Sequence, residues 1–222
     1  MAPGVSLCLT PATLLSATAY LASEDSALGR SVALYGVPPL WDRPQGFATL
    51  VQIILEQQVS LVSAAATFSR LSLEIIPFTP AQFIKCGDLH LKKLGLTRQK
   101  AGYCLHLAKA ICSNLLSVDR LNEMGDAEAS ATLMKIKGIG PWTARIYLLM
   151  ALLRPDIWPS GDIALAEAAR RIKGLSARPS QQRLSEMAEA WRPYQSVAAR
   201  ILWHHYLNIK KSPMVVNQKD LF

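Results

Sequence analysis

Apolar positions recur at spacings of three and four along almost the whole chain, the period of helices buried on one face. Phe47, Leu50, Val51, Ile54, Leu55 and Gln58 form one such stripe. Val59 to Leu73 predicts a second helix, ended ahead of Pro77, and Thr79-Pro80 opens a short third one. Leu89 to Leu94 is closed by Gly95, and Thr97 opens a long helix to about Leu116. The stripe of that helix is Ala101, Cys104, Leu105, Ala108, Ile111 and Cys112, which makes both cysteines core residues. Further helices are predicted from Asp126 to Met134, Pro141 to Leu153, Asp162 to Lys173 and Gln181 to Ala190, the last capped by Ser180. A final one follows Pro193 and ends near Asn208, which places His204 and His205 beside the helix-end dipole. Near the N-terminus, Thr10 reads as a cap with Pro11 at the first helical position. No alternating strand run of useful length and no internal repeat is present, so the predicted class is all-α.

Composition narrows the function classes. Hydrophobic residues make up 50% of the 222 and charged ones 18%, which excludes a disordered polyelectrolyte and fits one sizeable core or two smaller ones. The net charge of +8 points to an anionic partner without naming it. Residues 1–130 are neutral overall, and residues 131–222 carry the whole excess. Basic charge confined to one stretch is the footprint of a nucleic-acid binder, or a plain solubilising surface. Cys8, Cys86, Cys104 and Cys112 show no C-x-x-C pair, so neither zinc spacing nor a disulfide framework is expected, and a reducing cytoplasm fits. Val5 to Ala22 is apolar but has no preceding Lys or Arg, which argues against a signal peptide.

The most specific stretch is Leu133 to Ala144, read as helix, Gly138-Ile139-Gly140, then helix. Two glycines around one apolar residue allow a tight reversal with positive φ, and Ile139 can plug the space between the helices. Backbone N–H groups at the start of the second helix, together with its dipole, make a phosphate site that reads no base. The alternative is an ordinary interhelical turn. Further on, Asp162 follows Trp158-Pro159-Ser160-Gly161 where a helix begins. It reads as an N-cap, and the helix N-terminus favours its ionised form, so it can be a cap and a working carboxylate at once. Glu167 lies five positions on and is expected to face elsewhere, so a paired acid–base mechanism lacks its partner.

The Gly138 to Ala144 hairpin followed by Pro159-Ser160-Gly161-Asp162 resembles the helix-hairpin-helix DNA glycosylase superfamily, and within it the 3-methyladenine DNA glycosylase II branch. Ile54 to Ser60 resembles the family's loop facing the extruded nucleotide. Lys100 to Ala108 and Trp191 to Trp203 resemble two of its helices. The likeness runs from about Asp25 to Tyr206 in the family's order. It implies a six-helix barrel over 44–153 with the hairpin at about 127–153, and a second helical subdomain from 1–43 plus 154–208. A flexible tail at 209–222 follows, and the active-site cleft lies between the subdomains with Asp162 at its wall. The length available implies, on this resemblance, a short form without the N-terminal mixed α/β domain of longer members.

The resemblance also implies roles. Asp162 stabilises an oxocarbenium sugar and helps orient water. Trp142, Trp203 and Gln57 line the pocket for the flipped base, the tryptophans stacking on a cationic purine unless they are core residues. Gln58 is the wedge that fills the vacated stack, or else a plain helix-terminal polar residue. Lys137, Gly138, Ile139, Gly140 and Thr143 hold the DNA backbone, and the carbonyls of Met134, Ile136 and Ile139 suit a monovalent cation. Trp142 stands where lyase relatives hold a nucleophilic lysine, so no strand cleavage is expected, and no iron–sulfur cluster either. The implied activity is a monofunctional, monomeric glycosylase for alkylated purines such as 3-methyladenine and 7-methylguanine in duplex DNA. A glycosylase for a neutral damaged base and a non-catalytic DNA-binding module are the alternatives. Finally, Gln218-Lys219-Asp220-Leu221-Phe222 resembles the short peptide with which bacterial proteins dock on the replication sliding clamp. Gln218, Asp220, Leu221 and Phe222 fit, and Lys219 replaces the usual Leu.

Overall fold

The computed structural model describes residues 8–211. Among them every regular element is helical. The elements are α1 (Pro11–Glu24), α2 (Ser26–Tyr35), α3 (Phe47–Glu56), α4 (Leu61–Glu74), α5 (Pro80–Lys93), α6 (Arg98–Cys112), α7 (Asp126–Met134), α8 (Pro141–Met150), α9 (Ile163–Ile172), α10 (Gln181–Glu189) and α11 (Gln195–Lys211), with a 3-10 turn at Asp119–Asn122. The chain divides into two compact units, one of Trp41–Pro159 and one joining Met1–Leu40 to Ser160–Phe222. Gln218, Asp220, Leu221 and Phe222, the expected clamp-docking peptide, lie outside the described residues.

The Trp41–Pro159 unit is built on α3. Leu50, Val51, Ile53 and Ile54 are fully buried, and α3 packs against α4, α6 and α8. Each side chain of that size stabilises by about 1.5–3 kcal/mol when buried, so a helix apolar on most sides belongs at the centre. Ser60, Thr79 and Thr97 cap α4, α5 and α6 by accepting the N–H of Ser63, Gln82 and Lys100. Gly87, with φ 70, breaks α5 into the two short helices that the pattern predicts there. The unit is longer than the expected 44–153 at both ends. The Arg43 N–H donates to the Met150 carbonyl and its guanidinium pairs with Glu56 at 3.0 Å. At the other end Arg154 donates to the carbonyls of Asn122 and Met124.

The other unit is organised by Asp25. Its Oδ1 accepts the N–H groups of Ala27 and Leu28, capping α2. Its Oδ2 accepts from Lys173 Nζ at 2.7 Å and Trp191 Nε1 at 2.9 Å. Burial works to raise the pKa of this carboxyl, but the bonds from Lys173 and Trp191 outweigh it and hold it below the usual range. Helix α11 lies against α9, α2 and α1. Its fully buried Arg200 spends its guanidinium on the carbonyls of Leu40 and Ser196.

Three expectations are corrected. Helix α6 ends at Cys112 and buries Ala101, Cys104, Leu107, Ala108 and Ala110. Cys112 is exposed, because the chain turns away there through Asn114 at φ 58. Burial pushes the Cys104 thiol up to about 12. His204 and His205 are not end residues, since α11 continues to Lys211. His205 is buried, shares a 3.0 Å hydrogen bond with Ser31 and has its pKa lowered, chiefly by that burial.

Candidate nucleic-acid interface and carboxylate site

In the Trp41–Pro159 unit, α7 and α8 pack against each other with Ile136 and Ile139 buried between their ends. Gly138 has φ 99, and a Cβ placed on it would come 2.2 Å from Cγ of Tyr103. Glycine is therefore required there twice, by backbone conformation and by the ring beneath it. Gly140 differs from the expected pattern. Its φ of −89 and ψ of 179 are ordinary extended backbone, and it serves as the N-cap of α8 with no side-chain cap bond. The N–H groups of Gly138, Gly140 and Thr143 donate to no group among the described residues. Pro141 has no N–H to satisfy. The start of α8 thus offers uncommitted donors at the positive end of a helix dipole, flanked by exposed Lys135 and Lys137.

Two expected backbone contacts are corrected in detail. The Ile139 N–H already donates to the Ile136 carbonyl at 3.0 Å, so Ile139 serves as a plug and not as a donor. Thr143 is buried, and its hydroxyl accepts from Gln57 Nε2 at 2.9 Å, which leaves only its N–H for a phosphate.

The turn after α3 is tied to this hairpin. Gln57 Nε2 donates to the Gly138 carbonyl at 2.9 Å as well as to Thr143. The nitrogen of the amide expected to face a base is thus spent on holding the hairpin. Lys100 Nζ donates to the Leu55 carbonyl at 2.6 Å, closing the C-terminal end of α3, and its pKa is lowered, chiefly by burial. Between these two anchors Gln58 leaves the helical stripe expected of it. It stands exposed at φ 56, a conformation uncommon for residues other than glycine and one that gathers at ligand clamps. Lys100 and Tyr103, the residues that support α3 and the hairpin from α6, were singled out by no pattern in the sequence. Their partners are distant in the chain, and only a resemblance marked their helix.

In the other unit, Gly161 at φ 87 turns the chain into α9, and Asp162 caps it by accepting the Leu165 N–H at 3.0 Å. Trp203 Nε1 donates to the same Oδ1 at 3.3 Å. Trp203 is only 9% exposed, so its visible task is to orient the carboxylate. Glu167, the other carboxylate of α9, is engaged by Arg170, Arg171 and Arg178. The bonds from Arg170 and Arg171 lower its pKa to about 2, a structural use. Trp142, second residue of α8, is half-buried.

A family profile described as HhH-GPD superfamily base excision DNA repair protein matches residues 51–193. A DNA-3-methyladenine glycosylase of Bacillus subtilis is 31% identical over 113 residues, which are 51% of this chain and 37% of that protein. This chain therefore spans well under two thirds of that relative's length. The solved DNA-3-methyladenine glycosidase of Bacillus halodurans superposes with a TM-score of 0.75 at 27% identity, covering 88% of this chain and 91% of that one. The Schizosaccharomyces pombe 3-methyladenine DNA glycosylase Mag1, solved with abasic DNA, superposes with a TM-score of 0.77 at 24% identity, covering 84% of this chain and 94% of that one, which shows the shared fold. The profile takes in well over half of the chain, including the hairpin and Asp162. The chain belongs to the helix-hairpin-helix GPD superfamily of base excision DNA repair proteins.

Proposed function

We propose that the protein is a monofunctional DNA glycosylase that extrudes alkylated, cationic purines such as 3-methyladenine and 7-methylguanine and hydrolyses their N-glycosidic bond. The observation that carries this reading is Asp162, a carboxylate fixed by the N–H groups of Leu165 and Trp203 in a chain that also carries a hairpin with uncommitted backbone donors. The relatives named above, described as 3-methyladenine glycosylases, support it.

The chemistry asks little of an acid. A purine that bears positive charge is already a good leaving group. As its bond to the sugar stretches, charge passes to the sugar ring, and an oriented carboxylate stabilises that developing oxocarbenium ion and helps align the attacking water. Asp162 takes this role, with Trp203 holding it in place. Trp142 offers an aromatic face for the extruded base, and Gln58 fills the space the nucleotide leaves. Trp142 cannot form a Schiff base, so the abasic product stays uncut. The carbonyls of Met134, Ile136 and Ile139 suit a hard monovalent cation that would add positive charge for a phosphate; the Ile136 oxygen keeps one lone pair beside its bond from Ile139. Docking of Gln218 to Phe222 on a sliding clamp belongs to the same reading, as does the absence of an iron–sulfur cluster.

A release assay tests it. Purified full-length protein is incubated with duplexes carrying 3-methyladenine, 7-methylguanine, ethenoadenine, hypoxanthine or uracil. The expected result is release of the two cationic bases, with strands broken only after alkali. Release confined to neutral bases, or a borohydride-trapped adduct, contradicts the proposal.

A further inference from the structure

Beside the hairpin lies an open groove of about 440 Å³ lined by Arg98, Gln99, Gly102, Tyr103 and His106 of α6 and by Lys137 of the hairpin. No carboxylate lines it. Arg98, His106 and Lys137 have no hydrogen-bond or ion-pair partner among the described residues. The Tyr103 hydroxyl accepts from Gln99 Nε2 at 2.9 Å, which leaves its own proton to donate. The full charges here are those of Arg98 and Lys137, both positive, the Tyr103 hydroxyl proton is a further donor, and the uncommitted Gln99 Oε1 is a neutral acceptor. An anion is the ligand class that this lining fits.

Gly102 in the lining adds an independent observation. Gly102 sits in the middle of α6, where glycine is less favourable than alanine by about 0.5–1 kcal/mol. Its φ is not in the left-handed region, and a Cβ built on it would meet nothing within 4 Å. Nothing in the protein's own packing or backbone requires a glycine at that position. A bare backbone in the lining of a cationic groove admits the close approach of another chain.

Lys137 belongs to both the hairpin and the groove, and Tyr103 serves both, with its ring under Gly138 and its hydroxyl in the groove. We propose that this groove is a second backbone seat, which takes a further phosphodiester of the DNA strand that the hairpin holds. The inference rests on the DNA-binding reading above and names the residues that extend its grip.

The test is fluorescence anisotropy of the full-length protein on an undamaged labelled duplex over a series of salt concentrations, together with thermal denaturation. Gly102→Ala is expected to raise the thermal midpoint by about 1–3 °C and to weaken DNA binding at least about threefold. Arg98→Gln is expected to leave the midpoint unchanged and to reduce the slope of log affinity against log salt by about 1. Tyr103→Phe, which keeps the ring under Gly138, is expected to weaken binding without altering the midpoint. Wild-type affinity in Gly102→Ala, or an unchanged slope in Arg98→Gln, overturns the second seat while leaving the hairpin's role standing. A wild-type protein with no salt-dependent affinity for duplex DNA overturns the DNA-binding reading itself, and the groove proposal with it.

Discussion

The two units use the same kind of charge for opposite purposes. Trp41–Pro159 holds thirteen Lys/Arg against nine Asp/Glu, and the other unit eleven against seven, so each carries a formal +4. In the Asp25-organised unit, every Lys and Arg from Arg30 to Arg200 is engaged. Arg170, Arg171 and Arg178 surround Glu167, and Lys173 meets Asp25. Arg183 and Arg192 pair with Glu186 and Glu189, while Arg30 and Arg200 bind backbone carbonyls. In the hairpin unit, Arg98, Lys135, Lys137 and Arg145 have no partner among the described residues. Net charge does not separate a structural cation from one kept for a ligand. Partnership does, because a guanidinium already paired with a carboxylate has little left to offer a phosphate.

The sharpest break of this comparison is Asp25→Ala. It removes the cap of α2 and leaves Lys173 and Trp191 without their acceptor, with an expected loss of about 3 kcal/mol in denaturant unfolding. A loss below about 1 kcal/mol would show that the carboxylate does not organise its unit. Gly138→Ala comes next. The strained φ and the contact with Tyr103 are expected to cost about 2 kcal/mol and to weaken binding to damaged and undamaged duplex alike. An effect restricted to lesion-containing DNA would contradict the phosphate cradle.

Two milder substitutions sharpen the contrast. Lys135→Gln is expected to change stability by no more than about 0.5 kcal/mol while lowering the salt slope of DNA binding by about 1. Arg171→Gln is expected to do the reverse, leaving the slope alone and altering the response to acid. The folded-state pKa of Glu167 is lowered to about 2, and that of Asp25 lies below its usual value. Stability from these carboxylates is therefore fully present above the unfolded carboxyl range near 4 and is lost as pH falls toward about 2. Removing one of the arginines raises the Glu167 pKa and shrinks that acid-dependent loss, which denaturant melts between pH 5 and 2.5 measure. Equal salt slopes in the two variants would erase the distinction between the units.

What the sequence disclosed follows from how local each signal is. Thr10, Thr97, Ser180 and Asp162 announce helix starts because a cap and its partner sit within three residues, and Pro141 does so by its fixed φ at the first helical position. The hairpin was legible because Gly138 and the apolar plug Ile139 are neighbours. Helix α2 has the same kind of cap in Asp25, but that one residue is all that separates it from α1 and the apolar pattern runs on across it. The charge excess after residue 130 read as a basic region, but folding deals those residues to both units and pairs most of them. Gln57, Lys100 and Tyr103 act through partners 35 to 86 positions away, and no periodicity encodes that. Cys112 is exposed and His205 buried, against expectation, because helix ends shift by a few residues and a shift of that size decides burial.

On the proposed function, one oriented carboxylate performs the hydrolysis while the hairpin unit holds the DNA. Single-turnover excision from a 7-methylguanine duplex tests it most directly, comparing the wild type with Asp162→Asn, which keeps a side chain able to cap α9. The account predicts a rate lower by at least about 100-fold, with duplex affinity within about twofold of wild type and an unchanged thermal midpoint. A rate near that of the wild type contradicts it.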